Sequence, residues 1–465
     1  MNAVAGNLVF DPEIISRFDV NGPRYTSYPT ADRFVEAFGA DAYQLWLGKR
    51  NIGAISRPLS LYFHIPFCNT ICYYCACNKI ITKDHGRSAK YLRYLAKELA
   101  LQRGYLEGSD QEVAQLHWGG GTPTFLSHNE MRQLMAETRK HFTLSDGGEY
   151  SIEVDPRKVD AATVELLAEL GFNRMSVGVQ DFDANVQQAV NRIQSETETC
   201  AVIAAARGAG FRSVSIDLIY GLPRQSVEGF GRTLDKIIAV SPDRVSIYNY
   251  AHLPSLFKPQ RRILEQDMPS ADARLRILAL AIRRMTDAGY IYIGMDHFAK
   301  PEDELATAQR QGRLHRNFQG YSTHSDCDLL AFGISSISKV GPTYSQNVKT
   351  LDEYYDRLDN GTLPVYRGIE LGADDLLRRS IIQSLMCHFV LSIESIEIAH
   401  LIDFKSYFAT ELEDLREMAN AGLVRIDEKW ITVLPRGRML VRAISMVFDR
   451  YLRADRQRTR YSKVI

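Results

Sequence analysis

The sequence predicts an α/β fold built on a partial barrel of parallel strands. Three observations point there: strands and helices alternate regularly between residues 59 and 295, the strand ends carry glycines and polar groups, and four cysteines crowd one loop behind the first strand. Strands that alternate with helices need crossover connections, and crossovers give parallel sheets. Six or so such units make a partial barrel, which gathers its chemistry at the carboxyl ends of its strands.

The first apolar strand is 59–67, Leu-Ser-Leu-Tyr-Phe-His-Ile-Pro-Phe. Leu92, Leu95, Ala96 and Leu99 keep one face of the next helix apolar, and 113–118 reads as the second strand. Ser127 and Glu130 stand at capping-box spacing ahead of a helix over 130–142, and 150–154 is the third strand. Helices near 161–170, 197–208 and 227–239 then alternate with strands at 174–179, 213–219 and 244–250. A helix over 271–288 precedes a strand at 290–295.

After about residue 365 the pattern changes. A helix carrying Leu376, Leu377, Ile381 and Leu385 leads through a second helix, 407–421, to two strands joined by a turn within 423–434 and a final helix. Helices plus a hairpin resemble a winged-helix module. The chain has no basic recognition helix, which favours a lid over a nucleic-acid reader. The expected organisation is an amino-terminal arm over the active site (1–45), a catalytic barrel (46–365) and a mostly helical carboxyl-terminal lid domain (366–465).

Composition narrows the function classes. Lys plus Arg equals Asp plus Glu at 56 each, so the surface has no overall bias toward nucleic acid or anionic membrane. Hydrophobic residues make up 45% of the chain without a run of eighteen apolar positions, which predicts no membrane span. With no signal peptide at its start, the chain is expected in the cytoplasm.

Cys68, Cys72, Cys75 and Cys77 lie in the run Phe-Cys-Asn-Thr-Ile-Cys-Tyr-Tyr-Cys-Ala-Cys, and the other three cysteines are scattered singly. Thiolate sulfur prefers iron-sulfur clusters, zinc or copper(I). Disulfides would need an oxidising compartment, and the count of 7 is odd. Structural zinc usually takes its ligands from two separate knuckles, whereas these thiols share one short loop. Three cysteines spaced by three and then two residues can hold three corners of an iron-sulfur cubane, leaving one iron open to a small molecule. Cys200, Cys327 and Cys387 are expected in the core, and His64 and His297 are expected to be structural.

The other strand ends add a nucleoside-like site. Gly119-Gly120-Gly121-Thr122-Pro123-Thr124 exposes backbone amides and lets a ligand approach, although a tight turn gives the same signature. Glu153 and Asp155, Gln180 and Asp181, and Asp217 end the next strands. Such groups can hold ribose hydroxyls and an amino group; helix capping is the plain alternative.

The cysteine spacing resembles that of the radical S-adenosylmethionine superfamily. Further runs extend the likeness over nearly the whole chain: Gly22-Pro-Arg-Tyr-Thr-Ser-Tyr-Pro-Thr30, Cys77-Asn-Lys79, Ser151-Ile-Glu-Val-Asp-Pro156, Gly178-Val-Gln-Asp-Phe182, Asp217-Leu-Ile-Tyr-Gly-Leu-Pro223, Asn249-Tyr-Ala-His-Leu-Pro254 and Asn317-Phe-Gln-Gly-Tyr321. On these runs the chain resembles the oxygen-independent coproporphyrinogen III oxidases.

The resemblance implies a partial (β/α)6 TIM-like barrel holding one 4Fe-4S cluster and two S-adenosylmethionine molecules. It puts the cluster on Cys68, Cys72 and Cys75, the first S-adenosylmethionine against Tyr62, Gly120, Glu153 and Ile337, and the second against Tyr74, Gly121, Thr122, Gln180, Arg192, Asp217 and Ala251. The implied reaction converts two propionates of coproporphyrinogen III to vinyl groups, giving protoporphyrinogen IX. A 5′-deoxyadenosyl radical takes the unactivated β-hydrogen, after which carbon dioxide and one electron leave.

A tetra-anionic macrocycle calls for cations, and Arg24, Lys79 and Arg316 are the candidates. Cys77 is expected near substrate, in proton or electron transfer, with a small packed residue as the plain alternative. A low-potential electron donor and a final acceptor complete the partners; nucleic acid is not among them, and a monomer is expected. A haem-degrading or methylating relative, or a haem chaperone without oxidase activity, would share the barrel.

Overall fold

The computed structural model describes residues 8–50, 57–106, 111–324 and 327–454. The first seven residues of the expected arm and the last eleven of the expected carboxyl-terminal domain lie outside the described residues. The chain divides into two compact units, Phe34–Ile277 with Asp326–Glu370, and Met1–Arg33 with Leu278–Ser325 and Leu371–Ile465.

In the larger unit the strands are β1 (Leu59–Ile65), β2 (Phe67–Cys68), β3 (Ile80–Ile81), β4 (Glu112–Gly120), β5 (Thr143–Val154), β6 (Arg174–Gln180), β7 (Ser213–Tyr220) and β8 (Arg244–Asn249). They are followed by β9 (Asp328–Phe332), β10 (Ile337–Val340), β11 (Thr343–Asn347) and β12 (Val365–Glu370). One sheet runs β12-β11-β10-β9-β1-β4-β5-β6-β7-β8. From β9 through β8 neighbouring strands are parallel, and β9 to β12 are antiparallel. The six predicted parallel strands are therefore present in barrel order, with an antiparallel extension that the alternation did not announce.

Two boundaries moved for local reasons. The strand expected over 59–67 is broken at Pro66, which has no N–H to give, and β2 leaves the large sheet to pair with β3. The third barrel strand begins at Thr143, well before 150, and carries Gly147 in a positive-φ conformation at an irregularity in its pairing with β4.

In the parallel strands large apolar residues recur on one face. Leu61, Phe63, Leu116, Trp118, Ile152, Val177, Ile216 and Leu218 are fully buried on one face, each contributing roughly 1.5–3 kcal/mol of burial. Tyr62, His117, Ser151, Glu153, Ser176 and Asp217 stand between them and are only half-buried. Ser127 caps the helix His128–His141 through the predicted box with Glu130.

Behind β9, the fully buried Glu98 of helix His85–Tyr105 accepts from Gly333 N (2.8 Å), Tyr354 Oη (2.6 Å), Asn347 Nδ2 (2.8 Å) and Gln102 Nε2 (3.1 Å). Burial outweighs these donors and pushes its carboxyl up to about 7. The native state then holds a proton that the unfolded chain has released, so this group's contribution to stability falls as pH rises from the ordinary carboxyl range to about 7. Glu98→Gln is expected to remove up to roughly 3 kcal/mol of that pH dependence. Urea unfolding of the apoprotein at pH values on either side of this window measures it.

In the smaller unit Val390–Ser392, Trp430–Val433 and Val424–Ile426 form a three-stranded antiparallel sheet beside the helices Ala373–His388 and Ala409–Asn420. The hairpin expected within 423–434 is there, with 390–392 as an added strand. Tyr25 Oη donates to Asp449 (3.0 Å), and Arg442 Nε donates to the Pro23 carbonyl (3.1 Å), which fastens the segment around residues 23–25 within this unit. Cys327 and Cys387 are buried as expected; Cys200 is not core but half-buried on the helix Glu196–Gly208.

Candidate cofactor site

The cysteine loop is held from several sides, which compensates for its lack of regular structure. Ile80 N donates to the Pro66 carbonyl (2.7 Å) and Thr82 N to the Cys68 carbonyl (3.0 Å). Gly121 N and Thr122 N, past the end of β4, donate to the carbonyls of Ile65 and Phe67 at 2.8 and 2.9 Å. Further along, Tyr73 N bonds the Val190 carbonyl (2.9 Å), and Asn191 Nδ2 donates to the Ile71 carbonyl (2.7 Å). The buried Gln260 donates to both the Tyr74 and the Ala251 carbonyls, at 3.0 and 3.2 Å. Tyr74 also packs against an apolar cluster that includes Val190, Leu222, Tyr250 and Ile263.

Cys68, Cys72, Cys75 and Cys77 all line one cavity at the carboxyl ends of the strands. Gly120, Gly121, Thr122, Glu153, Gln180, Arg192, Asp217, Tyr74 and Lys79 share the lining, so most of the sequence-predicted site converges there. Tyr62, Ile337 and Ala251 lie outside that lining. Tyr62 stacks on His117 with ring centroids 5.8 Å apart and bonds the buried His64, whose other nitrogen meets the Asn78 carbonyl at 2.9 Å. His64 is thus fully partnered, as expected of a structural histidine. Arg24 and Arg316 belong to the smaller unit, where Arg24 pairs with Asp296, and Arg316 is buried against the Tyr321 ring and the Arg24 carbonyl.

The glycines leave room that no side chain could share. A Cβ on Gly119 would stand 2.8 Å from Glu153 Oε1, and one on Gly121 would stand 2.7 Å from the Pro66 backbone. Gln180 adopts φ 69° at the end of β6, a strained conformation for a non-glycine residue, costing on the order of 1 kcal/mol or more. Such strain is concentrated at functional sites, and here it ends the strand with Gln180 on the cavity wall.

The carboxylates differ in state. Burial pushes Glu153 up, but a hydrogen bond and charge from His117, and the Gly120 amide at 3.0 Å, hold it below its ordinary value. Its side chain is 45% exposed, an ionised group facing the cavity. Burial pushes Asp217 up to about 6, against hydrogen bonds from Ser176 (2.8 Å) and Ser246.

Sequence reasoning named Arg192 as a cofactor contact but missed Arg157 and the convergence of both cations on Cys72. Arg157 grips Asp155 through Nε at 2.9 Å and Nη2 at 2.6 Å, and its Nη2 stands 3.9 Å from the Cys72 sulfur. Arg192 Nη1 reaches the same sulfur at 3.6 Å and Asp155 at 3.4 Å, while its Nη2 donates to the Gly178 carbonyl at 2.6 Å. Asp155 had been noted only as a strand-end acid; the run Asp155-Pro-Arg157 was the available signal, since a Pro at the first helical position folds Arg157 back over its cap.

These residues fit a thiolate-bound cluster with an anionic, amine-bearing ligand. Among the described residues no three His, Cys, Asp or Glu side chains converge closely enough to hold a single metal ion. The four thiols line one cavity and none is in a disulfide, which leaves them available to a thiolate-bound group. Thr122 Oγ1 donates toward Cys68 at 3.4 Å, and hydrogen bonds to cluster sulfurs tune such groups. Arg192 Nε is buried in the cavity wall with no partner, a donor left for a ligand.

A three-cysteine loop at the mouth of a partial parallel barrel defines a radical S-adenosylmethionine protein, and the Radical SAM superfamily model matches residues 62–237. The chain is 52% identical to the oxygen-independent coproporphyrinogen III oxidase of Pseudomonas aeruginosa over 98% of this chain and 99% of that one. It is 47% identical to the Escherichia coli protein of the same name, over 98% of each. A solved structure of coproporphyrinogen III oxidase from Escherichia coli, described as a radical SAM enzyme, matches with TM-score 0.91 at 46% identity, covering 96% of this chain and 100% of that one. The chain belongs to the oxygen-independent coproporphyrinogen III oxidase family.

Proposed function

We propose that this chain is an oxidoreductase of haem biosynthesis that decarboxylates two propionate side chains of coproporphyrinogen III to vinyl groups without oxygen, giving protoporphyrinogen IX. The observation that carries this reading is the convergence of Cys68, Cys72, Cys75, the glycine run and the strand-end carboxylates Glu153, Asp155 and Asp217 on one cavity, in a chain 52% identical to its relative over nearly full length. The cluster and S-adenosylmethionine, when bound, supply a 5′-deoxyadenosyl radical able to take a β-hydrogen that no side-chain base could remove.

The residues divide the remaining work. Cys68, Cys72 and Cys75 hold the cluster. Tyr62, Gly120, Glu153 and Ile337 hold a first S-adenosylmethionine, the Glu153 carboxylate accepting from its ammonium group. Tyr74, Gly121, Thr122, Gln180, Arg192, Asp217 and Ala251 hold a second, one for each propionate. Arg157 and Asp155 fix the Arg192 guanidinium beside Cys72. Arg24, Lys79 and Arg316 meet substrate carboxylates, and Cys77, exposed at the cavity, passes a proton or an electron.

Residues 1–45 act as an arm over the site, 46–365 as the catalytic barrel and 366–465 as a lid. No helix among the described residues is long and apolar enough to cross a membrane. Seven free thiols suit a reducing compartment, and the cytoplasm is where we place the reaction, with a monomer as the working unit. A low-potential donor would supply electrons to the cluster, and a final acceptor would take the last electron from the substrate.

An anaerobic assay of the cluster-loaded protein with coproporphyrinogen III, S-adenosylmethionine and reductant tests this. Loss of two carboxyl groups together with 5′-deoxyadenosine, read by mass spectrometry, is expected. Deoxyadenosine with all carboxyl groups retained removes the substrate assignment.

A further inference from the structure

On the wall of the cysteine cavity one carboxylate, Asp155, holds two cations. Arg157 clasps it through Nε and Nη2 at 2.9 and 2.6 Å, and Arg192 Nη1 reaches it at 3.4 Å. The side chains of Arg157 and Arg192 are only 15% and 8% exposed, so water screens their charges weakly. Burying a second guanidinium beside a first is unfavourable unless anions balance both. Asp155 balances one of them. The surplus positive charge falls on Cys72, whose sulfur lies 3.9 Å from Arg157 Nη2 and 3.6 Å from Arg192 Nη1.

The neighbouring thiols are met differently. Thr122 brings a neutral hydroxyl to Cys68 at 3.4 Å, and Lys79 Nζ is tied to the backbone carbonyls of Cys75 and Cys77 at 3.1 and 3.3 Å. Guanidinium charge is therefore concentrated at Cys72. The local fold places Arg157 there without help from a ligand. Pro156 opens the short turn Pro156–Lys158, Asp155 caps it by accepting from Arg157 N at 3.2 Å, and the Arg157 side chain returns to the same carboxylate. Arg192 already has a place among the proposed contacts of the second S-adenosylmethionine; Arg157 has none, and the atom outside this ion cluster that it reaches is the Cys72 sulfur.

Resting on the function proposed above, we infer that Arg157 sets the reduction potential of the cluster, its charge at Cys72 making the cluster easier to reduce. On reduction the cluster takes one electron from a one-electron donor, dithionite in the test below, and no atom changes hands. The cluster becomes more negative by one charge. A buried cation that donates to a ligand sulfur stabilises that more negative form, and net charge and hydrogen bonds to sulfur are among the levers that set such potentials. Asp155 opposes Arg157, since its carboxylate cancels one of the two guanidinium charges. Removing the Arg157 charge leaves no surplus at Cys72, whereas removing the Asp155 charge leaves both cations unbalanced.

The test is a mediated dithionite titration of the cluster-loaded protein, without S-adenosylmethionine, read by the electron paramagnetic resonance of the reduced cluster. It compares the wild type with Arg157→Gln, Arg157→Lys and Asp155→Asn. In Arg157→Gln reduction is expected to be at least tenfold less favourable, a fall in potential of about 59 mV for one electron. Asp155→Asn is expected to raise the potential, and Arg157→Lys, which keeps the charge, to stay nearer the wild type than the glutamine variant. A loop disturbed by either substitution would shift both potentials the same way, so opposite signs isolate the charge. An Arg157→Gln cluster at the wild-type potential would overturn the inference, as would shifts of one sign in Arg157→Gln and Asp155→Asn. Should Arg157→Gln fail to load iron, Asp155→Asn decides alone, and a potential there at or below the wild type overturns it. A wild type in which dithionite raises no cluster signal would instead remove the functional reading beneath it.

Discussion

Replacing Cys68, Cys72 or Cys75 singly with alanine is expected to strip the protein of its iron and of all measurable activity, whereas Cys77→Ala keeps the iron. The argument is one of ligand number. Cys68, Cys72 and Cys75 are the three proposed ligands, so each removal costs a corner of the cluster. The loop is already shaped without metal: its backbone is tied to Val190, Gln260, Asn191 and the run after β4. An alanine therefore deletes a ligand without collapsing the loop, and melting temperature should hardly move while iron and sulfide content falls. Cys72→Ala has an added effect, because it leaves Arg157 and Arg192 converging on a vacated position and repelling one another. Cys77 is exposed at the cavity, and losing it is expected to lower turnover while leaving iron, sulfide and the visible spectrum as in the wild type. Iron retained in any of the three ligand variants at wild-type levels would remove the assignment of that cysteine.

The parallel half of the sheet could be read from sequence because each strand alternates apolar and polar residues and each is followed by a helix of matching period. The antiparallel half could not. In β11, Thr-Tyr-Ser-Gln-Asn, every residue is buried, yet four of the five are polar. They are tolerated because Thr343 donates to the Val340 carbonyl, Gln346 to Ser335 and Asn347 to Gly333 and Glu98, the last a contact across 249 residues that leaves no local pattern. The site shows the same division. Cys68, Gly121 and Asp217 stand in runs whose composition announces them. Gln260, which ties the Tyr74 and Ala251 carbonyls together, sits in an unremarkable stretch, Lys-Pro-Gln-Arg-Arg, and reaches the cysteine loop through a contact 186 residues away. Residues 278–325 group with the carboxyl-terminal segment for a similar reason: Gln309 bonds the carbonyls of Ile293 and Cys387, the second a contact across 78 residues.

Gly121→Ala is expected to cost more than any other single methyl addition at the site. The new Cβ would lie 2.7 Å from the carbonyl carbon and oxygen of Pro66 and 2.9 Å from the Ile65 carbonyl oxygen. All three are backbone atoms, so no rotamer change relieves the clash. The alternative is to part the two loops, which sacrifices the Gly121 N and Thr122 N hydrogen bonds to Ile65 and Phe67. Either route costs roughly 2–3 kcal/mol, a fall in melting temperature of about 3–5 °C for a unit of this size. Because Phe67 immediately precedes Cys68, parting the loops also moves a proposed ligand, so cluster loading should drop alongside stability. Gly120→Ala meets only the His64 ring, at 2.6 Å, and the strain of φ 111°; the ring belongs to a side chain held by two hydrogen bonds and can shift at their expense. Gly104, in the helix His85–Tyr105, has nothing within 4 Å of its position for a Cβ, and Gly104→Ala should gain about 0.5–1 kcal/mol through helix propensity alone. Thermal melts of the three variants therefore rank Gly121 lowest and Gly104 above wild type. A Gly121→Ala protein as stable and as fully loaded with iron as its parent would mean that the contact between the glycine run and the cysteine strand does not position the cluster.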